Sequence, residues 1–153
     1  MRAYLSGGME YADGEGMAWR KELQEWIEHS LGHEVFNPNV ESDRLFRTRY
    51  QGIDFRKLKI DDLPRYREIA RKLVELDCGE IAHRTDYVVC YWDEGAAKGA
   101  GTKGELTIAK FFGKPVYLVT NYTPAELPGW VLGCMTKMFG TFEELKAFLA
   151  EQR

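Results

Sequence analysis

The sequence predicts an α/β fold: a doubly wound, mostly parallel sheet of about five strands with helices on both faces. Three observations predict it. Short apolar runs of strand length alternate along the chain with longer segments of helical period. The run Asp86-Tyr87-Val88-Val89-Cys90-Tyr91-Trp92 is almost continuously apolar, as in a strand covered on both faces. The connections between strands are long enough to carry crossover helices, which makes the strands parallel.

The elements follow in order. Residues 3–5 form a short strand that runs into Ser6-Gly7-Gly8. From Gly16 to Leu31, Met17, Trp19, Leu23, Trp26, Ile27 and Leu31 recur at roughly helical spacing, and Gly32 suits the stop. Residues 33–36 form a second strand, ended by Asn37-Pro38. Residues 39–62 are polar and carry no clear period, so they stay unassigned. A helix begins near Pro64, which the first turn tolerates. It runs to about Ala82 with Ile69, Leu73, Leu76 and Ile81 on its buried side. The apolar strand at 86–92 comes next, then a Gly-rich loop from Asp93 to Gly101. A helix over about 103–112 stops at Gly113, and residues 115–119 form a further strand. Lys137-Met138-Phe139 is a candidate last strand. Thr141 and Glu144 form a capping box that opens a final helix.

The chain has 153 residues, the size of one domain, which places a single domain over 1–153. Apolar residues make up 44% and the formal net charge is -3, so there is no general attraction to polymeric nucleic acid or an anionic membrane. The basic stretch at Arg44, Arg47, Arg49, Arg56, Lys57 and Lys59 is diluted by Asp43, Asp54, Asp61 and Asp62. It reads as a solvated excursion or a subunit contact; a lesser reading gives one arginine a substrate phosphate. Cys78, Cys90 and Cys134 are odd in number and lack CxxC spacing, which points to a reducing compartment. Residues 1–5 reach Ser6-Gly7-Gly8 too soon for a signal peptide, and no apolar run approaches the ~20 residues of a membrane helix. The expected setting is the cytoplasm. His29, His33 and His83 have no metal-ligand spacing, so no metal site is expected.

In a doubly wound sheet, ligands sit beyond the carboxyl ends of the strands. The loops at 6–10, 37–40, 93–102 and 120–123 are therefore read first. Gly99-Ala100-Gly101-Thr102-Lys103-Gly104 matches G-x-G-x-x-G. However, it starts about seven residues after its strand, and no acid ends the next strand, so a nicotinamide cofactor is disfavoured. No P-loop motif and no G-x-S-x-G elbow occur. What remains is a loop whose backbone N–H groups can approach a sugar or phosphate. Glu105 has two readings. Thr102-x-x-Glu105 is a capping box, and local pattern favours that role. Alternatively, Glu105 is a carboxylate in the loop mouth, able to attack an anomeric carbon. Asp77, near the end of the long helix, is either a solvated helix-end residue or a carboxylate aimed into the cleft. Asp86 caps or anchors its strand.

Taken in order, these residues resemble the nucleoside 2-deoxyribosyltransferase family and its relatives that hydrolyse nucleoside monophosphates. The pattern is Tyr4-Leu5-Ser6-Gly7-Gly8-Met9, then Asp77, Ile81 and Thr85-Asp86-Tyr87-Val88-Val89. It closes with Gly101-Thr102-Lys103-Gly104-Glu105-Leu106-Thr107-Ile108-Ala109 and Gly113-Lys114-Pro115-Val116. The resemblance covers most of the chain, loosely at 39–62, and its specific part runs from Asp77 to Val119.

The resemblance implies a Rossmann- or flavodoxin-like sheet, no cofactor, and a small nucleoside or nucleotide substrate. It makes Glu105 the nucleophile and Asp77 the acid that binds or protonates. It gives nucleoside contacts to Tyr4, Ser6, Gly7, Gly8 and Met9, and to Gly101 and Thr102 of the second loop. It also implies a homo-oligomer, dimer or higher, in which Met135, Thr136 and Lys137 complete the neighbour's site. One position departs from the pattern. Some transferases carry a sugar-contacting Asp six residues before the nucleophile, where this chain has Gly99; Asp93 is the candidate substitute. The expected reaction is a retaining double displacement through a glycosyl-Glu105 ester, ending in base exchange or in hydrolysis. A non-catalytic nucleotide-binding module is the rival from another class.

Overall fold

The computed structural model describes residues 1–152. Five strands form one sheet in the order β2-β1-β3-β4-β5: β1 (Arg2–Gly7), β2 (Glu34–Phe36), β3 (Tyr87–Tyr91), β4 (Val116–Val119) and β5 (Lys137–Phe139). Every pairing is parallel, with Ala3 opposite both Val35 and Tyr87, Val88 opposite Val116, and Tyr117 opposite Lys137. The doubly wound parallel sheet expected from the sequence is thus the observed one.

Eight α-helices accompany the strands: α1 (Met17–Trp26), α2 (Pro38–Arg49), α3 (Phe55–Asp61), α4 (Leu63–His83), α5 (Glu94–Lys98), α6 (Gly101–Phe111), α7 (Gly129–Cys134) and α8 (Phe142–Glu151), counted among the described residues. The period of two in the strands sorts the core. Tyr4, Val88, Cys90 and Leu118 face one way and pack with Ile81 of α4, Leu106 and Ala109 of α6, and Val131 of α7. Ala3, Leu5, Val89 and Val119 face the other way and pack with Leu23 and Ile27 on the α1 side and Leu145 and Leu149 of α8. Asp86 ties the start of β3 to the start of β1: its Oδ2 accepts the N–H of Arg2 at 2.6 Å.

Four local readings change. Residues 39–62, unassigned from the sequence, are largely helical: α2 and α3 occupy them, opened by the Asn37 and Asp54 side chains, which accept the N–H groups of Asn39 and Lys57. Polar helices of this kind lie across a cleft and so lack a strong apolar stripe. The Gly-rich loop after β3 contains the short helix α5. Met17 is exposed, because it fronts the cleft rather than the sheet. At α8, Thr141 caps the helix as expected, but Glu144 accepts the N–H of Gly140 instead of Thr141. Among the described residues, no helix is long and apolar enough to cross a membrane.

The strand order reverses between β1 and β3: the chain leaves β1 for β2 on one side and returns to β3 on the other. A crevice opens there, beyond the carboxyl ends of β1 and β3. It is bounded by the turn after β1, the α5–α6 junction, the α4 helix and the α2–α3 pair.

Candidate active site

A cavity of about 770 Å³ occupies the switch point. Its floor is Gly7, Gly8 and Met9 after β1, together with Gly99, Ala100, Gly101, Thr102 and Glu105. Asp77 and Val74 of α4 form one wall, and Val40, Phe46, Phe55 and Tyr66 form an apolar roof. In that roof the rings of Phe55 and Tyr66 stack at 4.6 Å, and Phe46 leans on Phe55 at 5.4 Å.

Glu105 does not cap its helix. α6 begins at Gly101, which puts Thr102 inside the first turn, and no side chain caps the helix start. The carboxylate turns instead toward β1. Tyr4 donates its hydroxyl to Oε1 at 2.9 Å, and Ser6 donates to Oε2 at 2.5 Å. Both donors are fully buried. Tyr4 and Ser6 lie two apart on a strand and so point to the same side of the sheet, where α6 packs. Each Glu105 oxygen keeps lone-pair capacity free for a reacting carbon or a sugar hydroxyl. Burial pushes the Glu105 carboxyl above its ordinary range, while the Ser6 and Tyr4 hydrogen bonds and the charge of Arg20 oppose that shift.

Asp77 lines the same cavity from the last third of α4. Burial, with the nearby Glu105 charge, pushes its pKa up to about 8. The cleft therefore holds one carboxyl with hydroxyl donors on both oxygens and a second that burial pushes toward its neutral form. Two carboxyl groups in such contrasting surroundings suit a nucleophile and an acid.

The other expected site residues divide. Gly7, Gly8, Met9, Gly101 and Thr102 all line the cavity. Gly8 permits the closest approach: a Cβ there would lie 2.7 Å from the Ala96 nitrogen. Asp93 is not at the cavity wall; its Oδ1 accepts the Ala96 N–H at 2.8 Å and caps α5. Met135, Thr136 and Lys137 stand at the amino ends of β4 and β5, away from their own chain's cleft. There Thr136 accepts the Val116 N–H, and Lys137 sits 4.0 Å from the ring of Phe148. Two participants escaped the sequence reading. Arg20 is buried behind the turn after β1, and the α2–α3 roof carries the aromatic wall. A positive residue one turn into an amphipathic helix looks like a solvent-facing one, so pattern alone does not find it.

The charge balance of the wall is one-sided. Six carboxyl groups line it (Glu10, Glu15, Asp43, Asp54, Asp77 and Glu105) against two arginines, Arg47 and Arg56. Both arginines are already paired. Arg47 meets Asp43 at 2.9 Å, and Arg56 meets Glu15 at 3.3 Å and Glu10 at 3.9 Å. Among the described residues, no group of three or more His, Cys, Asp or Glu side chains is arranged to hold a metal ion.

Two solved structures share the fold. A 2-deoxyribosyltransferase from the psychrotolerant bacterium Bacillus psychrosaccharolyticus superposes with a TM-score of 0.61 at 16% identity, covering 95% of this chain and 90% of that one. The fold is shared. The CMP N-glycosidase BcmB of Clostridium botulinum superposes with a TM-score of 0.57 at 15% identity over the full length of both chains. Models of known protein families match nothing in the sequence, and no curated protein matches it significantly. The resemblance seen in the residues thus agrees with the architecture.

Proposed function

We propose that the protein cleaves the N-glycosidic bond of a 2′-deoxynucleoside and passes the sugar to a second base. One observation carries this reading: Glu105 lies at the switch point, held by Tyr4 and Ser6 instead of capping α6, in one cavity with the buried carboxyl of Asp77. The fold shared with a deoxyribosyltransferase and an N-glycosidase supports it.

The chemistry balances in two steps. A Glu105 oxygen forms a bond to C1′ as the C1′–N bond breaks, and the bonding pair leaves with the base. Asp77 gives its proton to that base. The product is a deoxyribosyl ester of Glu105, with the configuration at C1′ inverted once. A second base then attacks C1′, Glu105 leaves as carboxylate, and the proton released from that base returns to Asp77. Two inversions give overall retention. Tyr4 and Ser6 keep the carboxylate aligned throughout, and the aromatic roof offers apolar area for a base. Water in place of the second base would give hydrolysis. In the same reading Met135, Thr136 and Lys137 reach the cleft of a second copy; mixing subunits mutated at Glu105 with subunits mutated at Thr136 tests that by complementation.

A charged 5′-monophosphate fits the wall less well than a neutral nucleoside, because its phosphate would meet a surplus of carboxylates and arginines already paired. The deciding experiment incubates the protein with deoxyinosine plus adenine, and separately with deoxynucleoside 5′-monophosphates alone. Formation of deoxyadenosine is the expected result. Base release from the monophosphates alone would replace this reading with the hydrolase.

A further inference from the structure

Arg20 is 1% exposed, yet its guanidinium touches no carboxylate. It donates to the carbonyls of Leu5 (3.1 Å), Gly7 (2.9 Å), Gly8 (3.3 Å), Glu15 (3.2 Å) and Gly16 (3.2 Å), and to Oδ1 of Asn39 (3.2 Å). These acceptors come from three places: β1 with its turn, the loop before α1, and α2. We propose that Arg20 is the positioning residue of this site, clamping the cleft floor at Gly7 and Gly8 and fixing a buried positive charge beneath it. The proposal rests on the reading of Glu105 as nucleophile.

The clamp is visible in the backbone. Gly14, Glu15 and Gly16 have φ of 53°, 54° and 66°, three left-handed residues in succession, one of them not glycine. Such a run persists only where its surroundings hold it. Arg20 and Asn39 both bond the Glu15 carbonyl, and Arg20 also takes the carbonyl of Gly16. Packing leaves no slack. A Cβ on Gly16 would sit 2.6 Å from both Arg20 Nη1 and the Gly8 oxygen. The ring of Trp19 closes the guanidinium from one side at 4.7 Å. The held loop carries Glu15, whose carboxylate meets Arg56 at the cavity wall.

The charge argument is separate. The ionisable groups whose charge bears on Glu105 are Tyr4 of β1, Cys90 of β3, Asp77 and Cys78 of α4, and Arg20 of α1. Arg20 is the cation in that set, and a guanidinium does not give up its proton. A buried cation with only neutral acceptors is costly, and nearby anions offset that cost. One arginine offsets one carboxylate. The two hydroxyl donors and the Arg20 charge pull the Glu105 carboxyl down against its burial, while burial and the Glu105 charge push Asp77 up, which is the direction of difference that the proposed chemistry needs.

The test uses Arg20→Met and Arg20→Lys in the full chain. Carbon-13 NMR titration of the Glu105 and Asp77 carboxyls needs no turnover. Amide hydrogen exchange reads Gly7, Gly8, Glu15 and Gly16, and kcat against pH reads the reaction. Arg20→Met is expected to raise the Glu105 midpoint by about one pH unit or more and to move the acid limb of kcat with it. Arg20→Lys, which keeps the charge but not the fork, is expected to hold that midpoint near wild type while exchange quickens at all four amides. An unchanged Glu105 midpoint in Arg20→Met, with only a lower Tm, would reduce Arg20 to a structural part. If Arg20→Met does not fold, Arg20→Gln serves the same comparison. Absence of base exchange in the wild type would overturn the proposed function instead, and the NMR result would still decide the role of Arg20.

Discussion

The hydroxyl of Tyr4 donates to Oε1 of Glu105 at 2.9 Å, joining β1 to α6 across 101 residues of sequence. With Ser6 on the other oxygen, it fixes the plane of the carboxylate and favours its ionised form. A hydrogen bond to a charged group contributes about 1.5–3 kcal/mol, and about 1.4 kcal/mol is tenfold in rate. Tyr4→Phe and Ser6→Ala are each expected to lower kcat at pH 6 by about tenfold or more. Each should also shift the acid limb of the pH–rate profile to higher pH. A rate profile unmoved in both variants would mean that the two donors serve packing alone.

Asp77 makes a pH-dependent contribution of definite sign. Its pKa is 3.8 in an ordinary setting and about 8 in the fold. Between these values the folded state holds a proton that the unfolded chain has lost, so stability falls as pH rises from about 4 to about 8. The slope is at most about 1.4 kcal/mol per pH unit, and solvent reaching the cleft reduces it. Asp77→Asn should flatten this decline in chemical denaturation measured at pH 5 and pH 8. The same substitution removes the proton donor and is expected to lower kcat by about 10²–10⁴-fold. The alkaline limb of wild-type activity should fall near pH 8, where the donor is lost.

The acid-rich wall makes a prediction about substrate. A deoxynucleoside is expected to show a higher kcat/KM than its own 5′-monophosphate. The gap should narrow as salt rises, because screening weakens the repulsion. Steady-state assays on such a pair at two ionic strengths check this. A preference for the monophosphate would reverse the assignment.

Gly8 packs its Cα against the start of α5, where an added methyl would lie 2.7 Å from Ala96 N and 2.8 Å from the Gly95 carbonyl carbon. Backbone atoms on the other side cannot swing away. Gly8→Ala should therefore lower Tm and raise KM together, as the floor of the cleft shifts. Gly101→Ala, which meets no atom within 4 Å, is the matched control for stability.

Much of the fold was legible because its signals are local. The apolar run at Tyr87–Tyr91, the stops at Gly32 and Gly113, and the helix over Ile69 to Ile81 are each read from a few neighbours, and each stands as expected. The α2–α3 pair was not legible, since a roof over a cleft needs no continuous apolar face. The site divides in the same way. Glu105 and Asp77 could be singled out, but Thr102-x-x-Glu105 reads locally as a cap, and what turns Glu105 away from that role is a pair of hydroxyls on β1. Asp93 looked free to serve the cleft until the α5 N–H it satisfies came into view. Arg20 gave no signal because five of its six acceptors are backbone carbonyls, which carry no residue identity.

The central claim is covalent attack by Glu105, and rapid-quench intact-mass spectrometry tests it most directly. The protein is mixed with a 2′-deoxynucleoside without an acceptor base and quenched in acid. The account predicts a mass gain of one deoxyribosyl group, mapped by peptide digestion to Glu105, absent in Glu105→Ala and discharged when adenine is added. Base release at wild-type rate by Glu105→Ala, or an adduct on any other residue, would contradict it.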